Sequence, residues 1–135
     1  MNGRFSIAMH IMTLLCAGED SLLSSEFMAG SININPVLVR KELSNLLKHG
    51  LISSQMGKNG GYALAKPAKD ITIAGIYEAV KPDAVLGQAK NQPNPACPIG
   101  KQINAHLKQL DAEIEQVMLN KLGTTTLAEF CNKFE

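Results

Sequence analysis

Residues 34–65 read INPVLVRKELSNLLKHGLISSQMGKNGGYALA, and the stretch divides at Gly50. Before that glycine, Val39, Leu43, Leu46 and Leu47 recur at three- and four-residue spacing, which predicts a helix with one inward apolar stripe. Asn35 is a good N-cap. Pro36 suits the first helical position, because its φ is preset and no needed N–H is lost. Arg40, Lys41, Ser44, Asn45 and Lys48 fall on the other faces, and Gly50 ends the helix. After it, LISSQM and YALA are short β-type runs on either side of Gly57–Gly61. A five-residue glycine-rich connection between such runs predicts an antiparallel hairpin.

A glycine-rich run also raises the question of a phosphate-cradling enzyme loop. A Walker loop needs G-x-x-x-x-G-K-[ST] between a strand and a helix, whereas here Lys58 precedes the glycine pair and a strand-like run follows. A dinucleotide fingerprint must open a helix, and none opens here. Two readings remain: a plain hairpin turn, or a turn whose tip touches something large.

Working outward, residues 4–17 (RFSIAMHIMTLLCA) predict a helix apolar nearly all round, and therefore buried. Phe5, Ala8, Met12 and Leu15 share one face, Ile7, Ile11 and Leu14 the next, and Gly18 ends the helix. Ser24 or Ser25 caps a short helix, SEFMAGS. Downstream of the hairpin, Asp70 or Thr72 caps TIAGIYEAVKP, which Pro82 stops. Residues 83–98 hold three of the six prolines and read as an extended loop. Residues 99–122 predict the longest helix, with Ile103, Leu107, Leu110, Ile114, Val117 and Leu122 at coiled-coil-like spacing. Lys101, Gln102, Lys108, Asp111, Glu115 and Gln116 lie opposite. Gly123 closes the helix, and one of Thr124, Thr125 or Thr126 caps a last one. Three helices followed by a hairpin is the winged helix-turn-helix order. The same order also fits a small α+β domain in general, and the expected fold is mainly α (α+β): a winged helix-turn-helix region over 1–82, a loop over 83–98, and a long helix with a C-terminal helix over 99–135.

The whole chain sets the bounds. Its 135 residues suit one domain, and 45% apolar content excludes a disordered chain. A net charge of +1 means that any basic patch is local. No apolar run reaches the roughly 18 residues of a membrane span. Arg4 and His10 interrupt the N-terminal apolar stretch and no clear cleavage site follows, so a cytoplasmic protein is expected. Cys16, Cys97 and Cys131 are an odd, scattered set, which makes a poor disulfide framework and leaves a structural zinc site without ligands. His10, His49 and His106 have no recognisable nucleophile or carboxylate placed beside them, so no catalysis is expected. Nucleic acid fits better. Arg40 and Lys41 point away from the core stripe within two turns of the helix start, with Asn35 at its tip. The hairpin tip Gly57-Lys58-Asn59-Gly60 can then lie against phosphate.

These residues carry a resemblance. LSNLLKHGLISSQMGKNGGYALAKP is similar to the wing segment of the bacterial Rrf-type (IscR/NsrR/CymR-like) winged-helix regulators: a leucine-rich recognition helix, G-L-[IV]-x-S, then G-x-x-G-G-[YW]-x-L-A. ITIAGIYEAV and a long helix after a cysteine-bearing loop match as well. NPVLVRK and PNPACPIG resemble the cluster-free, YwnA-like subgroup. The resemblance implies a homodimer on a palindromic double-stranded DNA operator, acting as a repressor. The long helices would pair through Ile103, Leu107, Leu110, Ile114 and Val117. It implies groove contacts from Asn35, Val37, Leu38, Arg40 and Lys41, phosphate contacts from Ser24 and Ser25, and wing contacts from Gln55, Met56, Gly57, Lys58, Asn59 and Gly60. Many relatives place Arg immediately before the first wing glycine. Here Met56 stands there, which leaves Lys58 as the wing's cation. Cluster-binding relatives carry three cysteines in the loop before the long helix; this loop has only Cys97, so no iron–sulfur cluster or other cofactor is expected. Cys97, just before a helix N-terminus, reads either as a reactive redox-sensing thiol or as a small packing residue. A winged helix that binds protein instead of DNA is the alternative from another functional class.

Overall fold

A computed structural model describes residues 3–18 and 21–135. Helix α1 (Arg4–Ala17) runs through the centre of the molecule and packs against four other helices of the body. It buries Ala8, Met9, Ile11, Met12 and Leu15, while Phe5, Ile7 and Leu14 are only half-buried. The expectation of a helix buried all round is thus corrected to one buried along one side. Helix α2 (Ser25–Ile32) is capped by Ser24, whose Oγ accepts from the Phe27 N–H at 3.0 Å, and it ends at a left-handed Asn33. Helix α3 (Pro36–Lys48) starts as expected, with Asn35 Oδ1 accepting from the Val37 N–H at 2.9 Å.

Strands β1 (Ile52–Gln55) and β2 (Gly61–Leu64) pair antiparallel from Ile52↔Leu64 to Gln55↔Gly61. The connection is therefore Met56–Gly60, one residue earlier than the sequence suggested, because Gly61 is drawn into the ladder. The hairpin is also tied to the body. Leu23 and Tyr62 exchange both backbone hydrogen bonds, at 3.0 and 2.8 Å, so the segment leading into α2 acts as a third, one-residue strand.

Helix α4 (Ile73–Val80) is capped by Thr72, not Asp70, which lies in a 3₁₀ turn over Ala68–Asp70. Helix α5 (Pro98–Leu122) is 25 residues long, about 37 Å at 1.5 Å per residue, and buries none of them. Helix α6 (Leu127–Cys131) begins with a capping box in which Thr126 and Glu129 satisfy each other's N–H groups. Leu127 donates to the Ile71 carbonyl at 2.8 Å and is fully buried, so the chain returns to the core laid down by α1, α3 and α4. Ile11, Met12, Met28, Leu43, Leu46, Ile71, Ile76 and Leu127 are the largest side chains in that core. Burying each contributes about 1.5–3 kcal/mol. Among the described residues, no helix is long and apolar enough to cross a membrane.

Candidate nucleic-acid interface

The apolar stripe of α3 explains which residues it presents to solvent. Val39, Leu43 and Leu46 are buried, and their inward direction turns Val37, Leu38, Arg40 and Lys41 outward. All four are exposed, as is the capping residue Asn35, so the five groove-facing residues expected from the sequence lie along the first turns of one helix. Val37 and Leu38 are 61% and 48% exposed, unusually open for large apolar side chains.

One inward position is not apolar. Leu47, expected in the stripe, is exposed, and Glu42 is 2% exposed. Arg4 of α1 meets the Glu42 carboxylate at 3.2 and 3.3 Å, and Asn45 Nδ2 donates to it at 3.0 Å. A buried carboxylate is tolerated only when paired and hydrogen-bonded, and this one holds the recognition helix against the start of α1. Glu42 was not among the inward residues expected from the sequence, because its partner Arg4 lies 38 residues away and left no local trace.

Ser24 is half-buried, with its Oγ engaged as the cap of α2. Ser25 is buried, and its hydroxyl donates to Glu26 Oε2 at 3.3 Å. In the wing, Gln55, Met56, Gly57, Lys58 and Asn59 are exposed, Met56 to 92%, while Gly60 is half-buried. The glycine pair has a structural reason. A Cβ on Gly60 would collide with the Gln55 carbonyl across the turn, and one on Gly61 would meet the Leu23 carbonyl at 2.7 Å. The pair therefore serves the tight turn and the bridge to Leu23, and the protruding groups are Met56 and Lys58.

Charge is segregated along the chain. Residues 36–69 hold six of the 13 Lys and Arg (Arg40, Lys41, Lys48, Lys58, Lys66 and Lys69) but one of the 12 Asp and Glu, the buried Glu42. All six cations are exposed, and none forms an ion pair with another described residue. The near-zero net charge thus hides a basic segment, with Arg40, Lys41 and Lys48 on α3, Lys58 on the wing, and Lys66 and Lys69 after it. Lys48, Lys66 and Lys69 were absent from the expected contacts, although counting charge by segment would have found them.

Helix α5 has a different character. Asp111 and Glu115 turn toward the chain's own body: Asp111 Oδ1 accepts from the Leu86 N–H at 2.7 Å, and Glu115 accepts from Lys81 Nζ at 3.3 Å and Tyr77 Oη at 3.4 Å. Burial, then the Glu115 charge, raises the Tyr77 pKa, and the hydrogen bond to Glu115 raises that of Lys81. The apolar residues lie on the adjoining face, and Leu107 also lines the cleft that holds Leu86 and Asp111. Ile103, Leu107, Leu110, Ile114 and Val117 are 36–66% exposed, and Ile99 extends the same stripe. Leu122, at the end of the expected seam, is instead half-buried against the core.

Cys97 is the exposed N-cap of α5. It makes no full capping hydrogen bond through its side chain, but the N–H groups of Gly100 and then Ile99 draw its thiol below the usual pKa. Cys16 and Cys131 are half-buried. The histidines are dispersed. His10 shares a 3.0 Å hydrogen bond with Ser31 Oγ, His49 Nδ1 is 2.9 Å from the Asn45 carbonyl, and His106 is exposed on α5.

Known proteins share this chain's sequence pattern and fold. Residues 1–133 match the sequence model of a family described as Rrf2, iron-dependent transcriptional regulator. The chain is 35% identical to YwnA of Bacillus subtilis (strain 168), a protein provisionally named an HTH-type transcriptional regulator, over 98% of this chain and 97% of that one. A crystal structure of a provisionally assigned transcriptional regulator from Lactobacillus plantarum superposes with a TM-score of 0.81 at 30% identity, covering 99% of this chain and 91% of that one. CymR, the global cysteine regulator of B. subtilis, has the same fold, with a TM-score of 0.72 at 21% identity over 98% and 96% of the two chains.

Proposed function

The chain belongs to the Rrf2 family of transcriptional regulators, and from that premise we propose that it works in the cytoplasm as a homodimeric repressor that binds a palindromic DNA operator. The observation that carries this reading is the set of four exposed cations on α3 and the wing, Arg40, Lys41, Lys48 and Lys58, with the N-terminal turns of α3 uncovered. In a helix-turn-helix, those turns enter the major groove. Arg40 is the candidate for guanine, which it can grip through two hydrogen bonds, and Lys41 and Lys58 serve phosphate. Met56 replaces a cation at the wing tip, so the wing holds the backbone without reading the minor groove. Ser24 is the nearer of the two serines to a phosphate; Ser25 is left out of the set. The exposed stripe of α5 supplies the contact between copies, and pairing two α3 helices across it accounts for a two-fold operator with half-sites about 34–36 Å apart.

The family description names iron. This chain's donor set does not fit a resident iron site: the loop before α5 holds one cysteine, and no three His, Cys, Asp or Glu side chains converge among the described residues. Regulation through the Cys97 thiol suits the chain better, because that thiol is exposed and its anion is stabilised.

The test is a footprint on the region upstream of the chain's own gene, at moderate salt, with and without a thiol oxidant. A protected palindrome whose affinity falls steeply with salt is the expected result. Equal, weak binding to every duplex would overturn the operator reading in favour of a protein-binding module. An oxidant response that persists in Cys97→Ser would remove the thiol from the mechanism.

A further inference from the structure

Val37 and Leu38 occupy the second and third positions of α3, directly after Pro36. Acidic residues suit the first turn of a helix, because the N-terminal end of the macrodipole is positive. This first turn has none, and the two positions instead expose large apolar side chains, to 61% and 48%. The core does not require them, since Val39, Leu43 and Leu46 already make the inward stripe. They also sit among cations: Val37 is three residues from Arg40 and four from Lys41, and Leu38 is three from Lys41. Side chains at those separations lie about 5–6 Å apart on one helix face. A surface that mixes positive charge with short branched apolar groups, and that carries no acid, complements a polyanion bearing methyl groups. In the major groove the thymine C5-methyl is the apolar feature, and side chains such as these read it by contact.

From this we infer that Val37 and Leu38 are specificity-determining residues, which select thymine through its 5-methyl group. The inference rests on the DNA-binding reading above and sharpens it. Successive bases on a strand are about 3.4 Å apart. The thymine read by Val37 therefore lies within about two base pairs of the guanine gripped by Arg40. Each half-site contains such a T–G neighbourhood, placed where the start of α3 meets the groove.

The experiment begins with selection of an operator from a random duplex library by the full-length protein. Each thymine of the selected half-site is then replaced by deoxyuridine, which keeps base pairing and removes only the methyl group. At one or two positions the affinity falls about fourfold per methyl, as burial of one methyl group predicts. In Val37→Ala or Leu38→Ala that penalty disappears at the matching position, while the melting temperature is unchanged because both side chains lie outside the core. If an operator is selected but no thymine is sensitive to loss of its methyl, the inference fails and DNA binding stands. It also fails if the penalty persists in both variants, because another side chain then reads the methyl. If no operator is selected, the DNA-binding reading fails first and takes this inference with it.

Discussion

The front of α3 and the outer stripe of α5 both expose large apolar side chains, but in opposite company. On α3, Val37 and Leu38 stand beside Arg40 and Lys41 within two turns, and the helix's one acid, Glu42, is buried against Arg4. On α5, apolar residues from Ile99 to Val117 follow one another along the helix, while Asp111 and Glu115 turn inward to their own chain. The first surface sets two apolar side chains among cations. The second has the length and the three- and four-residue spacing of a coiled-coil seam. The distribution of charge around the apolar groups, more than their number, therefore separates a surface suited to a polyanion from one suited to a second apolar helix.

The largest effect is expected from replacing both Leu107 and Leu110 by Asp. Carboxylates forced into an apolar seam cost several kcal/mol, so sedimentation should find a monomer and operator affinity should fall at least about 100-fold. Circular dichroism should change little, since neither side chain is in the core. A double variant that assembles and binds as the wild type does would erase the contrast between the two surfaces.

A smaller effect should divide the α3–wing surface itself. Arg40→Ala should cost about 1–3 kcal/mol on the selected operator and much less on unrelated duplexes, if it grips a base. Lys58→Ala should weaken every sequence alike and lower the slope of log affinity against log salt by about 1. If Arg40→Ala instead weakens all sequences equally, Arg40 belongs with the phosphate contacts.

The smallest effect concerns the start of α5. The thiolate is the form that is alkylated, and the Cys97 pKa is lowered by the Gly100 and Ile99 N–H groups. As pH falls, iodoacetamide should therefore keep modifying Cys97 after an unstructured model-peptide thiol has ceased to react, as followed by mass spectrometry. A pH profile equal to that of the free thiol would leave Cys97 with exposure alone.

Much of the α3–wing surface was legible because its signals are local. Asn35, Thr72 and Thr126 cap their helices through hydrogen bonds to residues two or three positions on. The stripe of α3 obeys a spacing that any helix imposes, and Met56 and Lys58 protrude because a turn tip has nothing beside it. The α5 stripe was equally visible as a period. That its flanking acids bind their own chain was not, since their partners Leu86, Lys81 and Tyr77 are 25–38 residues distant.

The sequence by itself determined the order of helices and hairpin, the Asn35 cap, and the outward direction of Arg40 and Lys41, because those follow from contacts within about four residues. Only the tertiary structure decided that Glu42 is buried while Leu47 is not, that Gly61 must lack a side chain so that Leu23 can pair with Tyr62, and that the last helix closes the core through Leu127 and Ile71. Each of these depends on a partner that is remote in sequence and adjacent only after folding. Helical spacing can say that a residue points inward, but not what it will meet there.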